Sequence, residues 1–176
     1  MARKFLISPS ELKDDTAIFG NVDEKLLRQP IFACQDIAVQ GLLGTALFDE
    51  LISQAPSSLT ALNTTLLNDY IQPAMRYWIL AEIVRPMSFR YQNVGVQIKS
   101  TENTQPISNA QITELENTNR NKYEWYAQRV SDYLCENEAD YPLYNNAGNG
   151  VDTIHPTRNN YTTSINLSIR KRQRRF

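Results

Sequence analysis

The sequence predicts a mainly α-helical protein: a bundle of about three long helices plus a short one, with a small β-hairpin or extended segment at about 88–99 and an extended C-terminal arm ending in a β-strand. Three observations carry this expectation. Apolar residues recur at steps of three and four through long stretches, the spacing of a helix with one inward face. Two capping boxes, S-P-S-E from Ser8 and S-N-A-Q from Ser108, mark helix starts. The period drops to two near residues 89–98 and again at 164–169, the signature of strands with one apolar face.

The elements follow in order. Ser8 caps a short helix, with Pro9 at its first position and Glu11 closing the box. The run D-D-T-A-I-F-G-N-V-D breaks it, with Gly20 and Asn21 as turn residues. From Asp23 a longer helix presents Leu27, Ile31, Cys34, Ala38 and Leu42 on one face. Pro30 lies early in it, where a missing N–H costs little or marks a kink. Gly41 and Gly44 bracket L-L-G-T, a helix end followed by a new start. A-L-F-D-E-L-I is a shorter amphipathic helix, and Q-A-P-S-S is a loop.

The stretch from roughly Asn63 to Val84 is the most hydrophobic. Leu67, Ile71, Ala74, Trp78 and Ala81 form its stripe, widened nearly all round by Leu66, Tyr70, Tyr77, Ile79, Leu80 and Ile83. Such a helix is central. Pro73 is expected to kink it, and Arg85-Pro86 to end it. Phe89 and Tyr91 then alternate, followed by Val94, Val96 and Ile98, with N-V-G as a turn or bulge between them. Ser108 opens a helix to about Asn137, its inner face formed by Ile112, Leu115, Asn119, Tyr123, Tyr126, Val130 and Tyr133. Glu114, Glu116, Arg120, Lys122, Glu124 and Arg129 read as solvated.

After Tyr141-Pro142 the regular pattern stops. The expected division is a helical body over 1–142, with an inserted extended segment at 88–107, and a C-terminal arm over 143–176. That arm comprises a polar linker, a strand at 164–169 and a basic tip at 170–175. Residues 1–151 carry 12 Lys+Arg against 18 Asp+Glu, a balance of −6. Residues 152–176 carry 6 against 1, a balance of +5, which together recover the net charge of −1. An acidic body with a basic end suggests an interaction tail rather than a uniformly nucleic-acid-binding surface.

Composition and motifs exclude several classes. No apolar run approaches the length of a membrane span, and the N-terminal apolar stretch is too short for a secretory signal. Cys34 and Cys135 fall within helical patterns and read as buried free thiols of a protein made in a reducing compartment. One histidine, His155, and two distant cysteines make no metal set. The glycines form no phosphate loop, and the acidic pairs lie at helix ends rather than in a pocket. The expectation is therefore no enzyme, no catalytic residues, no cofactor and no metal. The aromatic residues read as core packing, with some available to anchor subunit contacts.

The end of the chain is what a single compact body leaves unexplained. Ile165, Leu167 and Ile169 need a surface for their apolar face and a partner for their backbone groups. Strand addition to the 88–99 segment of a neighbouring copy satisfies both. Arg170, Lys171, Arg172, Arg174 and Arg175 then meet acidic protein or phosphate. The expected interface is therefore these eight residues together with Phe89, Tyr91, Val94, Val96 and Ile98.

The order of parts over residues 24–99 resembles the head–tail connector (adaptor) proteins of tailed bacteriophages, with the flavour of the ring proteins of podovirus-like (crAss-like) phages. The residues that carry the likeness are the capped helix ending in L-L-G-T-A-L-F-D-E-L, the proline-bearing helix D-Y-I-Q-P-A-M-R-Y-W-I-L-A-E-I-V, the extended N-V-G-V-Q and the long helix after it. The resemblance implies a structural virion protein of the head–tail neck, made in the host bacterial cytoplasm. It implies a homo-oligomer, a dodecameric ring docked under the portal protein and joined to tail or neck proteins, with DNA passing through the lumen without specific recognition. It implies no catalysis and no membrane. The alternative class is a nucleic-acid-binding regulatory protein, a helical body with a basic C-terminal arm.

Overall fold

The computed structural model describes residues 3–92, 95–98, 108–148 and 150–157; residues 89–92 and 95–98 are described by backbone alone. The expected strand at 164–169 and basic tip at 170–175, and Val94, lie outside the described residues.

The protein is mainly helical. Helix α1 spans Pro9–Asp14, and its capping box forms as expected: Glu11 N–H donates to Ser8 Oγ at 3.2 Å, and Ser8 N–H donates to Glu11 Oε2 at 2.7 Å. Asp23 caps α2, Glu24–Ala33. A π-helical turn, Cys34–Val39, carries α2 into α3, Gln40–Leu43. Leu27, Ile31, Cys34 and Ala38 are buried as the spacing predicts, but the next buried position is Leu43 rather than Leu42. The wider turn accounts for this: Gln40 N–H bonds back five residues to Gln35 O, so the inward face slips by one position.

Gly44 ends α3 and starts α4, Thr45–Gln54, with φ of 77°, a conformation that disfavours side chains. Helix α5, Ala61–Thr65, passes through a second π-helical turn, Leu66–Ile71, into α6, Gln72–Ser88. That turn stands immediately before Pro73. There Gln72 N–H reaches back five residues to Leu67 O, a local widening of the kind that accommodates a missing donor. Ile79 rather than Trp78 holds the fully buried position on α6; Trp78 packs partly against the core. Helix α6 does not stop at Pro86 but runs to Ser88. Less than a turn remains after the proline, and Ser88 Oγ donates to Val84 O at 2.9 Å, satisfying one late carbonyl.

The backbone of β1, Phe89–Gln92, pairs antiparallel with that of β2, Gly95–Ile98, Phe89 standing opposite Ile98 and Gln92 opposite Gly95. Helix α7, Asn109–Glu136, opens on the second capping box, Gln111 N–H donating to Ser108 Oγ at 3.3 Å and Ser108 N–H to Gln111 Oε1 at 3.1 Å. A short α8, Pro142–Asn145, follows.

Helices α6 and α7 form the spine. Tyr70 stacks on Tyr133, Tyr77 on Tyr126, Arg120 pairs with Glu82, and Arg85 pairs with Glu116. Steps forward along the α5–α6 rod meet similar steps back along α7, which is an antiparallel register. Around this spine pack α2 to α4, burying Leu27, Ile31, Leu43, Leu47 and Leu51 in one core with Met75, Ile79, Val130 and Leu134. The N-terminal segment joins through two glutamines. Buried Gln35 accepts from Leu6 N–H and donates to Lys4 O, both at 3.2 Å, and Gln72 donates to Leu6 O at 3.0 Å.

Residues 143–157, placed in the arm by the sequence reading, pack onto the body. Tyr144 and Ala147 are buried. Thr45 and Ile154 exchange bonds: Thr45 N–H donates to Ile154 O at 3.0 Å, and Ile154 N–H donates to Thr45 Oγ1 at 2.8 Å. Thr157 N–H donates to Gly41 O at 2.9 Å. A Cβ on Gly44 would stand 2.8 Å from Pro156 Cδ and 3.3 Å from Ala147 Cβ. The segment lacks any period because backbone hydrogen bonds and isolated side chains, not a repeating face, attach it.

Gly44→Ala should therefore cost about 1–3 kcal/mol, from a positive φ and a close contact together. Denaturant unfolding should show this loss, and amide exchange at Thr45 and Thr157 should accelerate beyond the global change. Ser108→Ala should cost about 1 kcal/mol through the lost cap, measured in the same way.

Candidate functional site

Aromatic rings and cations converge in a groove of about 570 Å³ along α6 and α7, closed at one end by the residues after α1. Asp15, Arg76, Tyr77, Lys122, Tyr126 and Arg129 line it. The register of the spine places them: Arg76 and Tyr77 lie one after the other on α6, while Lys122, Tyr126 and Arg129 follow at steps of four and three on α7. Tyr77 and Tyr126 stack at 5.3 Å between centroids, and Trp125 meets Tyr126 edge-on at 4.8 Å. Lys122 Nζ lies 5.3 Å over the Tyr77 ring. The Arg129 guanidinium stands 5.2 Å from the Tyr70 ring and 5.4 Å from that of Trp125. Cations over ring faces at this range are attracted by the ring quadrupole.

Arg76 Nη2 donates to Asp15 Oδ2 at 2.6 Å, while its Nε is buried with no hydrogen-bond partner among the described residues. Three cations thus face one carboxylate. The arrangement suits carboxylates or other anions presented beside an apolar or aromatic group.

Three groups with perturbed protonation lie outside the lining of this groove. Burial, followed by the hydrogen bond with Tyr133, raises the Tyr141 phenol well above the ordinary tyrosine value; its OH donates to Leu62 O at 2.9 Å. Burial also pushes Tyr123 up to about 12, with smaller contributions from Cys34 and Glu124. Desolvation raises the Cys34 thiol far above its usual value, with a lesser effect from Glu82. Cys135, expected to be buried, is exposed, because its position on α7 faces away from the core. Among the described residues no group of three or more His, Cys, Asp or Glu stands ready to hold a metal, and no helix is long and apolar enough to cross a membrane.

The groove shares no residue with the interface expected from sequence. Of that set, Phe89, Tyr91, Val96 and Ile98 are placed by backbone on the paired strands, while Val94, Ile165, Leu167, Ile169, Arg170, Lys171, Arg172, Arg174 and Arg175 lie outside the described residues. Lys122 and Arg129, read as solvated, are exposed and also stand over rings. Leu115, expected inside, is 47% exposed, and Trp125 is 59% exposed. The first half of α7 has chiefly α6 to pack on, so fewer of its positions find cover. The overlooked signal was a pair of cations seven residues apart with an aromatic pair between them.

Residues 39–154 match the family described as "Family of unknown function (DUF6712)". That span is about two thirds of the chain, so the chain belongs to this family. No curated protein and no solved structure matches it.

Two outcomes follow from the buried groups. A thiol-specific chromogenic reagent should label one cysteine, Cys135, in the folded protein and two after denaturation. For Tyr123 the folded value lies above the unfolded one, near 10, so its neutral form favours folding. That contribution is whole below pH about 10 and is lost as pH rises towards about 12. Tyrosinate absorbance should show this late ionisation coinciding with loss of helical circular dichroism.

Proposed function

We propose that this member of the family is a structural virion protein, a ring-forming head–tail adaptor docked under the portal and joining it to the tail. DNA passes through the lumen, and the C-terminal arm acts as a strap to a neighbouring subunit or to the portal. The observation that carries the proposal is the fastening of residues 154–157 beside Gly41 and Gly44. It fixes one point on the body from which the last nineteen residues, 158–176, begin.

Nineteen residues, if extended, reach at most about 65 Å, comfortably far enough for a neighbour. They carry the alternating Ile165, Leu167 and Ile169 and five cations among the last seven residues. Among the described residues the backbone of Phe89–Gln92 pairs only with that of Gly95–Ile98, so the outer edges of this pair would offer N–H and C=O groups to an added strand. Ring contacts are heterologous, one surface meeting a different one on the next copy, and an arm laid on a neighbour's hairpin is such a contact. The balance of −6 over residues 1–151 suits a lumen that does not grip passing DNA.

Deleting residues 160–176 should leave helical circular dichroism unchanged while reducing the large species seen by light scattering on mixing with the portal protein. An unaltered assembly profile would remove the arm from the mechanism. Salt-sensitive retention of duplex DNA that depends on the arginines of the tip would favour the regulatory, nucleic-acid-binding reading instead.

A further inference from the structure

Helix α7 carries one continuous exposed face that the adaptor reading does not use. Thr118, Lys122, Trp125, Arg129, Asp132 and Glu136 are all exposed and recur at steps of four and three, so they form a single stripe. The charges are segregated along it. Lys122 and Arg129 stand at one end, Asp132 and Glu136 at the other, and Trp125 lies among the cations. Beyond Arg129 the acidic end continues: residues 130–157 contain five Asp+Glu and no Lys or Arg.

We infer that this stripe is a homotypic docking face, on which α7 of one copy packs antiparallel against α7 of a second copy. Turned end for end, the stripe complements itself. Lys122 and Arg129 of each chain meet Glu136 and Asp132 of the other, and each exposed Trp125 lies against the second chain's final turns. An isologous contact of this kind requires that residue i meets j while j meets i; with the two-fold axis between residues 129 and 130, Lys122 with Glu136 and Arg129 with Asp132 each stand within about half a helical turn of direct opposition. A parallel pairing would set like charges opposite each other.

The free chain is prepared for the contact. The Arg129 guanidinium is already held between the rings of Tyr70 and Trp125, so less freedom is lost when it meets a carboxylate. Neither Lys122, Arg129 nor Glu136 is engaged in an ion pair among the described residues. Asp132 accepts from Gln128 Nε2 at 2.6 Å, which orients its carboxylate within the face. The interface is a single helix pair rimmed by charge, so it is weak and salt-sensitive. It does not rest on the adaptor reading. A two-fold contact closes on itself, whereas a ring contact propagates.

Sedimentation velocity on the full chain over a concentration series tests the pairing. The expected result for the unaltered protein is a reversible shift from 20.2 kDa towards twice that mass, diminished by added salt. The variants Lys122→Glu with Arg129→Glu, and Asp132→Lys with Glu136→Lys, should each sediment as monomers with unchanged circular dichroism. Their equimolar mixture should recover the dimer. Because Arg129 stands over two rings and Lys122 over one, Lys122→Glu alone serves as a milder check and should weaken the dimer while keeping helical circular dichroism. A wild-type chain that stays monomeric throughout, or a dimer indifferent to both charge reversals, overturns the inference. A larger species that both double variants leave intact overturns it too, while leaving ring formation standing.

Discussion

The antiparallel packing of the α5–α6 rod against α7 is the constraint on which the other features depend. Once Tyr77 stands on Tyr126, the helix periodicity brings Tyr70 to Tyr133 and Glu82 to Arg120. The burial of Met75, Ile79, Val130 and Leu134 along this seam supplies most of its free energy, since each large buried aliphatic side chain contributes about 1.5–3 kcal/mol before entropy. The ion pairs at the far end contribute far less. Arg85 and Arg120 are well exposed, and water and salt screen such pairs. They join the two helices at the end where Ile83 and Ile112 are the buried apolar residues.

The same register explains why the groove exists. Side chains on the inner faces of α6 and α7 are consumed by the core, and those on the outer faces meet water. At the seam between, long side chains must lie across rings or stand in solvent. Lys122 and Arg129 lie across rings, with their charged ends over the aromatic faces. Asp15 adds one carboxylate from the residues after α1 and fixes Arg76. A cationic seam on an acidic chain is thus a product of packing, and its charge is free to be used.

Local chemistry was legible in the sequence, and register was not. Ser8, Asp23, Ser108 and Gly44 all act where their residue types indicate, because a cap needs only three or four neighbouring residues. The two π-helical turns leave no such mark. The first changes the phase of the inward face by one position, which is why Leu43 displaces Leu42; beyond the second, Ala74 and Ala81 stay buried as expected and Ile79 is buried more deeply than Trp78. Exposure of Leu115 and Trp125 was hidden for a related reason: periodicity shows which residues share a face, but not how far along the helix a partner covers that face. Residues 143–157 were unreadable as body because Thr45, Gly41 and Gly44 hold them through backbone groups, which every sequence possesses.

The groups whose protonation the fold perturbs most are all shifted away from reactivity. Burial raises Cys34, Tyr123 and Tyr141, which keeps the thiol and phenols neutral near pH 7; activation of a nucleophile requires a shift in the other direction. The interior of this body is therefore stabilised by neutrality. Its charges form two patterns among the described residues, an acidic excess and a cationic seam ending in an acidic helix end, and the sequence adds a third in the basic residues 170–175. These patterns act over different ranges. At physiological salt a charge is felt over about 8 Å, so the net charge of the body cannot prevent a local pairing of Lys122 with Glu136, and the tip cannot be attracted by the body as a whole. Each contact must be made by neighbours in van der Waals reach. In the contacts proposed above, the point where residues 154–157 are fastened and the phase of the α7 stripe therefore decide which opposite charges could be brought together.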